Sequence, residues 1–349
     1  MVALAVLALS AAGPARAGVA NAGIPGAPSG NPLAGLPWGI YTGPIDGVYS
    51  AYQNARGAER RLLARVALQP RALWYGSWYA DWQAESAARD LIDNVTGGRD
   101  DVLAQVTVFR MDPWEAPVCR RLPTAGQQAS YKRWINAFAA GIGSARVALI
   151  LQPDLPFGFC APHHSQLPFH LVAYAARTFS ALPHTTVYID AGSSDWESAR
   201  QAAAMLRASG ERYARGFALN ATHYDSTQRE IVFGRRVVSA LAAARLGGRH
   251  FVIDTAENGR AFTFQQYHGS DFNNAPVCHT LASRRCVALG IPPTWRVTDP
   301  RWGLSARTGR IAGRLVDGYL WFGRPWLVGQ TSPFDLQRTL GLAATWPFA

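Results

Sequence analysis

A single lysine, Lys132, occurs in this 349-residue chain, although Lys and Arg together number 34 against 23 Asp and Glu. The net charge of +11 is therefore carried by arginines, which are scattered along the chain instead of gathered in runs. That distribution lacks the basic footprint of a nucleic-acid-binding surface, so nucleic acid is not expected as a partner. Cysteine is also scarce. Cys119, Cys160, Cys278 and Cys286 include no Cys-x-x-Cys pair, which argues against structural zinc, and no metal is expected. The chain has no glycine-rich phosphate loop and no Gly-x-Ser-x-Gly elbow. Nucleotide chemistry and serine-hydrolase chemistry lose support, and no cofactor is expected.

What is present points to an exported globular protein. Apolar residues make up 48% of the chain, enough for a sizeable core. Residues 2–12 form an apolar run followed by Ala15-Arg16-Ala17, the pattern of a secretory signal peptide over 1–17, though without a positive n-region. The run is too short to span a bilayer as a mature helix, so no membrane association of the mature form is expected. Residues 18–33, rich in Gly, Ala and Pro, read as a flexible lead-in to a single catalytic domain over 34–349. In an oxidising compartment the four cysteines can form two disulfides, and three pairings are open.

The patterning then alternates. Strand-like runs lie at 72–78, 105–109, 147–152, 185–190, 216–220, 250–255 and 318–322. Helix-like spacing falls at 57–68, 130–142, 165–182, 195–208, 228–244 and 307–316. Strands alternating with amphipathic helices predict a parallel sheet with helices outside. Six or seven such units predict an α/β fold, a closed or nearly closed β/α barrel.

In such a barrel the carboxyl ends of the strands carry the chemistry. Val147 to Leu151 is a five-residue apolar run, Pro153 ends it and Asp154 follows. Asp190, Asn220 and Asp254 close their own strands, and Glu115 lies in the loop after 105–109. A mouth lined by these groups and by Trp74, Trp78, Trp82, Trp114, Trp196, Trp321 and Trp326 suits a carbohydrate. Indole faces stack on sugar rings, while carboxylates and amides take up hydroxyls. The His163-His164 doublet and the Asn94-Val-Thr96 sequon carry no function in this reading.

Six motifs, in order, give the chain a family resemblance. They are Leu-Gln-Pro-Asp154, Tyr-Ile-Asp190-Ala-Gly-Ser-Ser-Asp-Trp196, Gly-Phe-Ala-Leu-Asn220, Val-Ile-Asp254-Thr-Ala-Glu-Asn-Gly259, Leu-Gly-Ile-Pro-Pro-Thr294 and Asp317-Gly-Tyr-Leu-Trp321. Together they resemble glycoside hydrolase family 6, from Asn31 to about Trp326. The resemblance implies a distorted, incomplete β/α barrel, hydrolysis of β-1,4-glucan with inversion, and a secreted enzyme acting, as a monomer, on oligo- or polysaccharides. It makes Asp154 the proton donor and Glu115 the assisting carboxylate. Trp74 becomes an aromatic against a sugar on the nonreducing side, and Thr124 the hydroxyl that holds the catalytic water. Phe109, Asp190, Trp196, Asn220, Asp254 and Trp321 become substrate-binding positions. It pairs Cys119 with Cys160, leaving Cys278 for Cys286.

The chain also departs from that pattern. Gln152 replaces a Glu, Trp114 an Arg, and Phe109 a Tyr. Where relatives carry a Lys and a Pro-Gly-Glu-x-Asp-Gly loop, Gly323, Leu327 and Gly329 stand in place of the Lys, Glu and Asp. The family's candidate base is therefore absent. Either Glu115 acts through water, or Asp335 reaches in from the next turn, or the protein binds glycans without cleaving them. Endo action is favoured, because no long insertion could roof a tunnel.

Overall fold

The computed structural model describes residues 30–111 and 119–349. The signal segment, most of the lead-in, Trp114 and Glu115 lie outside the described residues. Seven strands form one sheet in chain order: β1 (Leu73–Gly76), β2 (Leu103–Phe109), β3 (Arg146–Leu151), β4 (Thr185–Asp190), β5 (Gly216–Leu219), β6 (His250–Asp254) and β7 (Val316–Leu320). Every neighbouring pair is parallel. The first and last strands form no ladder; they meet where Arg71 bridges Trp321, with Ala72 N–H donating to the Trp321 carbonyl at 2.8 Å. The sheet is thus a distorted, incomplete β/α barrel of seven strands, its parallel units those the alternation predicts and its incompleteness that which the resemblance implies.

Below that bridge the seam is filled by the chain preceding the first helix. Pro37 and Gly39 pair with Leu103 at 2.9 Å each, and Asn31 Nδ2 donates to the Asp317 carbonyl of β7 at 2.8 Å. Leu33 is fully buried. The end of the expected lead-in therefore belongs to the barrel.

The helices are α1 (Val48–Asn54), α2 (Gly57–Ala67), α3 (Ala84–Thr96), α4 (Ala125–Ile142), α5 (Leu167–Ser180), α6 (Ala199–Ala208), α7 (Thr227–Ala243), α8 (Ala306–Leu315) and α9 (Leu336–Ala344). Helix α3 has no counterpart in the sequence pattern; half of its buried residues are alanine (Ala84, Ala87, Ala88), beside Leu91, Val95 and Thr96. That small face lets α4 approach closely: a Cβ on Gly141 would lie 2.2 Å from the Glu85 carbonyl. Helix α4 begins five residues earlier than the apolar spacing indicates, because Thr124 and Gln127 form a capping box. The disulfides are Cys119–Cys160 and Cys278–Cys286, the pairing the resemblance implies. His163 and His164 are both exposed.

Strand periodicity sorts the side chains. Val147, Leu149, Leu151, Val187, Ile189, Phe217, Phe251 and Ile253 pack outward under the helices. Ala148, Ile150, Tyr188, Ala218 and Val252 fill the interior. Asp190 and Asp254, two residues beyond Tyr188 and Val252, share that inward parity. At the opposite end of the barrel Asp317 is 1% exposed and accepts from Tyr188 Oη at 2.8 Å and from Arg215 Nε at 2.8 Å, with His250 Nδ1 at 3.2 Å. Burial opposes its ionisation, but the bonds from His250 and Arg215 outweigh burial and hold its pKa below the usual carboxylate value.

Breaking this buried cluster leaves uncompensated charge, so Asp317→Ala should cost about 3 kcal/mol, read from the denaturant midpoint. The depressed pKa makes the wild-type advantage present above the ordinary carboxylate pKa and lost as pH falls through the native value of Asp317. The two proteins should therefore converge in acid; a constant gap across pH would contradict the assignment.

Candidate active site

The apolar run of β3 ends where Gln152 N–H donates to the Val108 carbonyl at 2.7 Å. Gln152 also anchors the start of the loop after β2, its Oε1 accepting from Met111 N–H at 3.3 Å. Asp154 then takes a left-handed conformation (φ 62°), and a short 3₁₀ turn, Leu155–Cys160, carries the chain to its disulfide with Cys119. The loops after β2 and β3 are thereby tied together beside Asp154.

Backbone strain concentrates here. Gln152, Asp154, Asn220 and Thr222 all have positive φ, at 56°, 62°, 71° and 59°. For a β-branched residue such as Thr222 this is an outlier, and such residues cost roughly 1–3 kcal/mol each and gather at functional sites. The turn at Thr222 delivers its hydroxyl to Asp154 Oδ1 at 2.8 Å. Asp154 is 8% exposed. Burial raises its pKa; the Thr222 hydrogen bond and the charges of His223 and Arg324 oppose that rise without cancelling it.

Asp154, Thr222 and Asn273 line two cavities at once. The first, about 550 Å³, runs past Trp74, Trp78, Phe109, Arg324 and Trp326. The second, about 580 Å³, runs past Phe157, Asp195, Trp196, His223, Phe264 and Phe272. The two lobes meet at Asp154 and form one aromatic-walled cleft across the carboxyl ends of the strands.

The second lobe holds a hydrogen-bonded dyad. Asp195 Oδ1 lies 2.8 Å from His223 Nδ1, and its Oδ2 accepts from Phe264 N–H at 2.6 Å. Burial would raise the pKa of Asp195, but the bond and charge of His223 outweigh it and bring the value to about 2. The ionised carboxylate makes His223 Nδ1 a donor. The imidazole stacks on Trp196, centroids 5.0 Å apart and planes 16° apart.

The other sequence-predicted residues divide clearly. Trp74, Phe109, Trp196 and Asp154 line the cleft. One face of the Trp74 ring is covered by the Arg324 guanidinium, 3.8 Å from the centroid, and its Nε1 donates to the Phe322 carbonyl at 2.6 Å. Asp190 is fully buried under Asp154 and does not line either lobe; burial and the charge of Asp154 raise its pKa well above the usual value. Asn220 is a buried hub, accepting from Asp225 N–H at 3.2 Å and donating to the Asp254 carbonyl at 3.1 Å. Asp254 accepts three backbone N–H groups and lines neither lobe. Trp321 is core: it is fully buried against Trp346, its Nε1 donating to the Ile291 carbonyl at 2.9 Å. Thr124 is exposed and spends its hydroxyl on the α4 cap, accepting from Gln127 N–H at 3.2 Å, outside both lobes. Asp335 caps α9, accepting from Arg338 N–H at 2.9 Å, and lines neither lobe.

The cleft also holds polar residues that the sequence pattern does not single out, among them Thr222, Asp195, His223 and Arg324. Asp195 stands next to Trp196, and Thr222-His223 follows Asn220, so their chain neighbourhood was the available signal.

Comparison with known proteins agrees with this geometry. The model of Glycosyl hydrolases family 6 matches residues 41–303. Endoglucanase A of Cellulomonas fimi is 32% identical over 225 residues, covering 63% of this chain and 47% of that protein. Endoglucanase 1 of Streptomyces halstedii is 29% identical over 230 residues, 63% of this chain and 69% of that one. The chain thus spans about half the length of the first of these relatives. Among solved structures, the endoglucanase Cel6 from Mycobacterium tuberculosis, in complex with methyl-cellobiosyl-4-deoxy-4-thio-β-D-cellobioside, has a TM-score of 0.69 at 29% identity and covers 89% of this chain and 98% of its own. A family 6 enzyme of Orpinomyces sp. Y102, at 16% identity and TM-score 0.66, shares the fold. On the extent of the family match and these likenesses, the chain belongs to the Glycosyl hydrolases family 6.

Proposed function

We propose that the protein is an exported hydrolase that cleaves β-1,4-glucan chains internally and with inversion. The observation that carries this reading is the position of Asp154, buried at the junction of two aromatic-walled lobes. A sugar in each lobe brings the linking oxygen to the one carboxyl both share. Burial favours the protonated form that a general acid needs at neutral pH. Lobes on both sides of Asp154 support cleavage within a chain, and two disulfides support export.

In this scheme Asp154 protonates the departing oxygen. The Trp74 lobe takes the nonreducing-side sugar and the Trp196 lobe the leaving-group side, where His223, fixed by Asp195, meets sugar hydroxyls. Glu115, from the loop after β2, activates water on the opposite face of the ring. Inversion places the two carboxyls about 6.5–9.5 Å apart to admit that water. The rival reading, a glycan-binding protein without turnover, draws support from the loop after β7. Leu327, Gly329 and Gln330 line the lobe shared with Asp154 and bring no carboxylate to it. Turnover of soluble β-glucans by the purified protein separates the two; binding without product favours the rival.

Asp154→Asn should lower turnover about 10³-fold while glucan binding persists, and near-normal activity would remove Asp154 as the donor. Because its native pKa is raised, the wild type loses stability as pH rises from the ordinary carboxylate value through that of Asp154. The Asn variant should lack this slope and melt no lower at neutral pH. In the wild type kcat/KM should fall as pH rises through the same titration. For Glu115→Ala, azide should restore turnover and yield the α-glycosyl azide. Full activity without azide would assign the base elsewhere, and a first-formed β-anomer by NMR in the wild type would overturn inversion.

A further inference from the structure

Past Trp78 the cleft does not end. Trp78 is 52% exposed at the edge of the Trp74 lobe, Ile45 beside it is 45% exposed, and Trp82 is 81% exposed. Ile45 lines both that lobe and a second groove of about 480 Å³, walled by Tyr41, Tyr79 and Trp82, with Asp90 and Asn94 at its polar side. A tryptophan this exposed leaves most of its apolar area in water, and it shares its groove with Ile45, itself exposed and on the wall of the Trp74 lobe.

The ring is nevertheless carried on a fixed turn. Ala80 N–H donates to Gln83 Oε1 at 2.9 Å, and the Tyr79 carbonyl accepts from Trp134 Nε1 at 3.0 Å. Asp81, the residue before Trp82, is held by Ser130 at 2.8 Å and by Arg133 at 2.9 Å. Tyr79 is stacked on Tyr75, centroids 5.3 Å apart. Rigid presentation of an exposed ring, continuous with an aromatic cleft, marks a binding platform and not a packing fault.

We propose that this groove is an outlying subsite for the same polysaccharide chain, with Trp82 stacking on a sugar ring several units to the nonreducing side of the bond at Asp154. The inference rests on the glucanase reading and adds that recognition extends beyond the enclosed cleft. Asp90 and Asn94 supply hydrogen-bond partners for ring hydroxyls.

The test compares Trp82→Ala with wild type and with Leu281→Ala, which removes another exposed apolar side chain that lines none of these cavities (Leu281 is 56% exposed). Affinity electrophoresis through hydroxyethylcellulose should show the Trp82 variant retarded less, with Kd for the polymer raised roughly tenfold. Its kcat/KM on a cello-oligosaccharide too short to reach Trp82 should be unchanged, and Leu281→Ala should match wild type in both. Equal polymer retention by Trp82→Ala overturns the subsite. So does an equal loss on short and long substrates, which would place Trp82 in the enclosed cleft, or a loss of self-association alone, which would make the patch a contact between two copies. A wild type that is retained but releases no product defeats the hydrolase reading and leaves this one standing.

Discussion

The carboxylate of Asp254 accepts backbone N–H groups from Ala256, Phe322 and Gly323, at 2.9, 3.2 and 2.5 Å, and so locks the end of β6 to the segment leaving β7. Much of the cleft wall follows from that lock. It fixes the Phe322 carbonyl that receives Trp74 Nε1, and next to it Arg324, whose guanidinium covers the Trp74 ring. It also dictates residue 323. A Cβ there would lie 2.4 Å from Asp254 Oδ2 and 2.7 Å from Glu257 Oε1, so only glycine lets the two carboxyls and the backbone converge. Burial raises the pKa of Asp254 to about 7, and its backbone donors oppose that rise without cancelling it. Glu257, whose oxygens receive no hydrogen bond among the described residues, is pushed well above the usual carboxylate value by burial and by the charge of Asp254.

The same logic sorts the carboxyls of the cleft. Asp154 meets one hydroxyl and little water, and its pKa rises; Asp195 meets an imidazole and a backbone N–H, and its pKa falls. The pKa values of two carboxyls on one cavity are thus pushed in opposite directions by their surroundings. Arg324 works against the first of these shifts, because its charge favours ionised Asp154. Burial in turn lowers the pKa of Arg324 itself to about 9. On the wall of the Trp74 lobe a planar cation lies on the indole, a surface that offers directed donors as well as a flat face.

The barrel was legible because its strands are buried on both faces and read as apolar runs. The strand-end residues were legible as a set for the same reason, since parity carries Asp190 and Asp254 inward. What each does there was not legible. Asp154 and Asp254 look alike in sequence, each acidic and at the end of an apolar strand; one faces a cavity and the other is enclosed by N–H groups from a loop 68 and 69 residues away. Trp321 and Trp74 differ in the same way, the first sealed by Trp346 and the second left on the lobe wall. Thr124 carries a helix-start signal in Thr-Ala-Gly-Gln, and the capping box takes its hydroxyl. Thr222 and His223 reach the cleft through a left-handed turn that a β-branched residue rarely adopts, so no local propensity announces them.

The seam between β1 and β7 bears on how the molecule assembles. Each strand pairs with its successor in the chain, so six of the contacts in the sheet close short crossovers. The seam differs: Asn31 waits for Asp317, 286 residues later. Loop-closure entropy grows only slowly with length, but such distant contacts slow folding. During synthesis Pro37 and Gly39 can pair with Leu103 early, whereas Asn31 must wait for the seventh strand. The carbonyl that receives Ala72 belongs to Trp321, one residue before Phe322, so circularising the sheet and erecting the wall of the Trp74 lobe are one event. A nascent chain that has made every strand but the seventh already holds Asp154 and the residues of the Trp196 lobe, yet lacks the Arg324 and Trp326 wall of the other lobe.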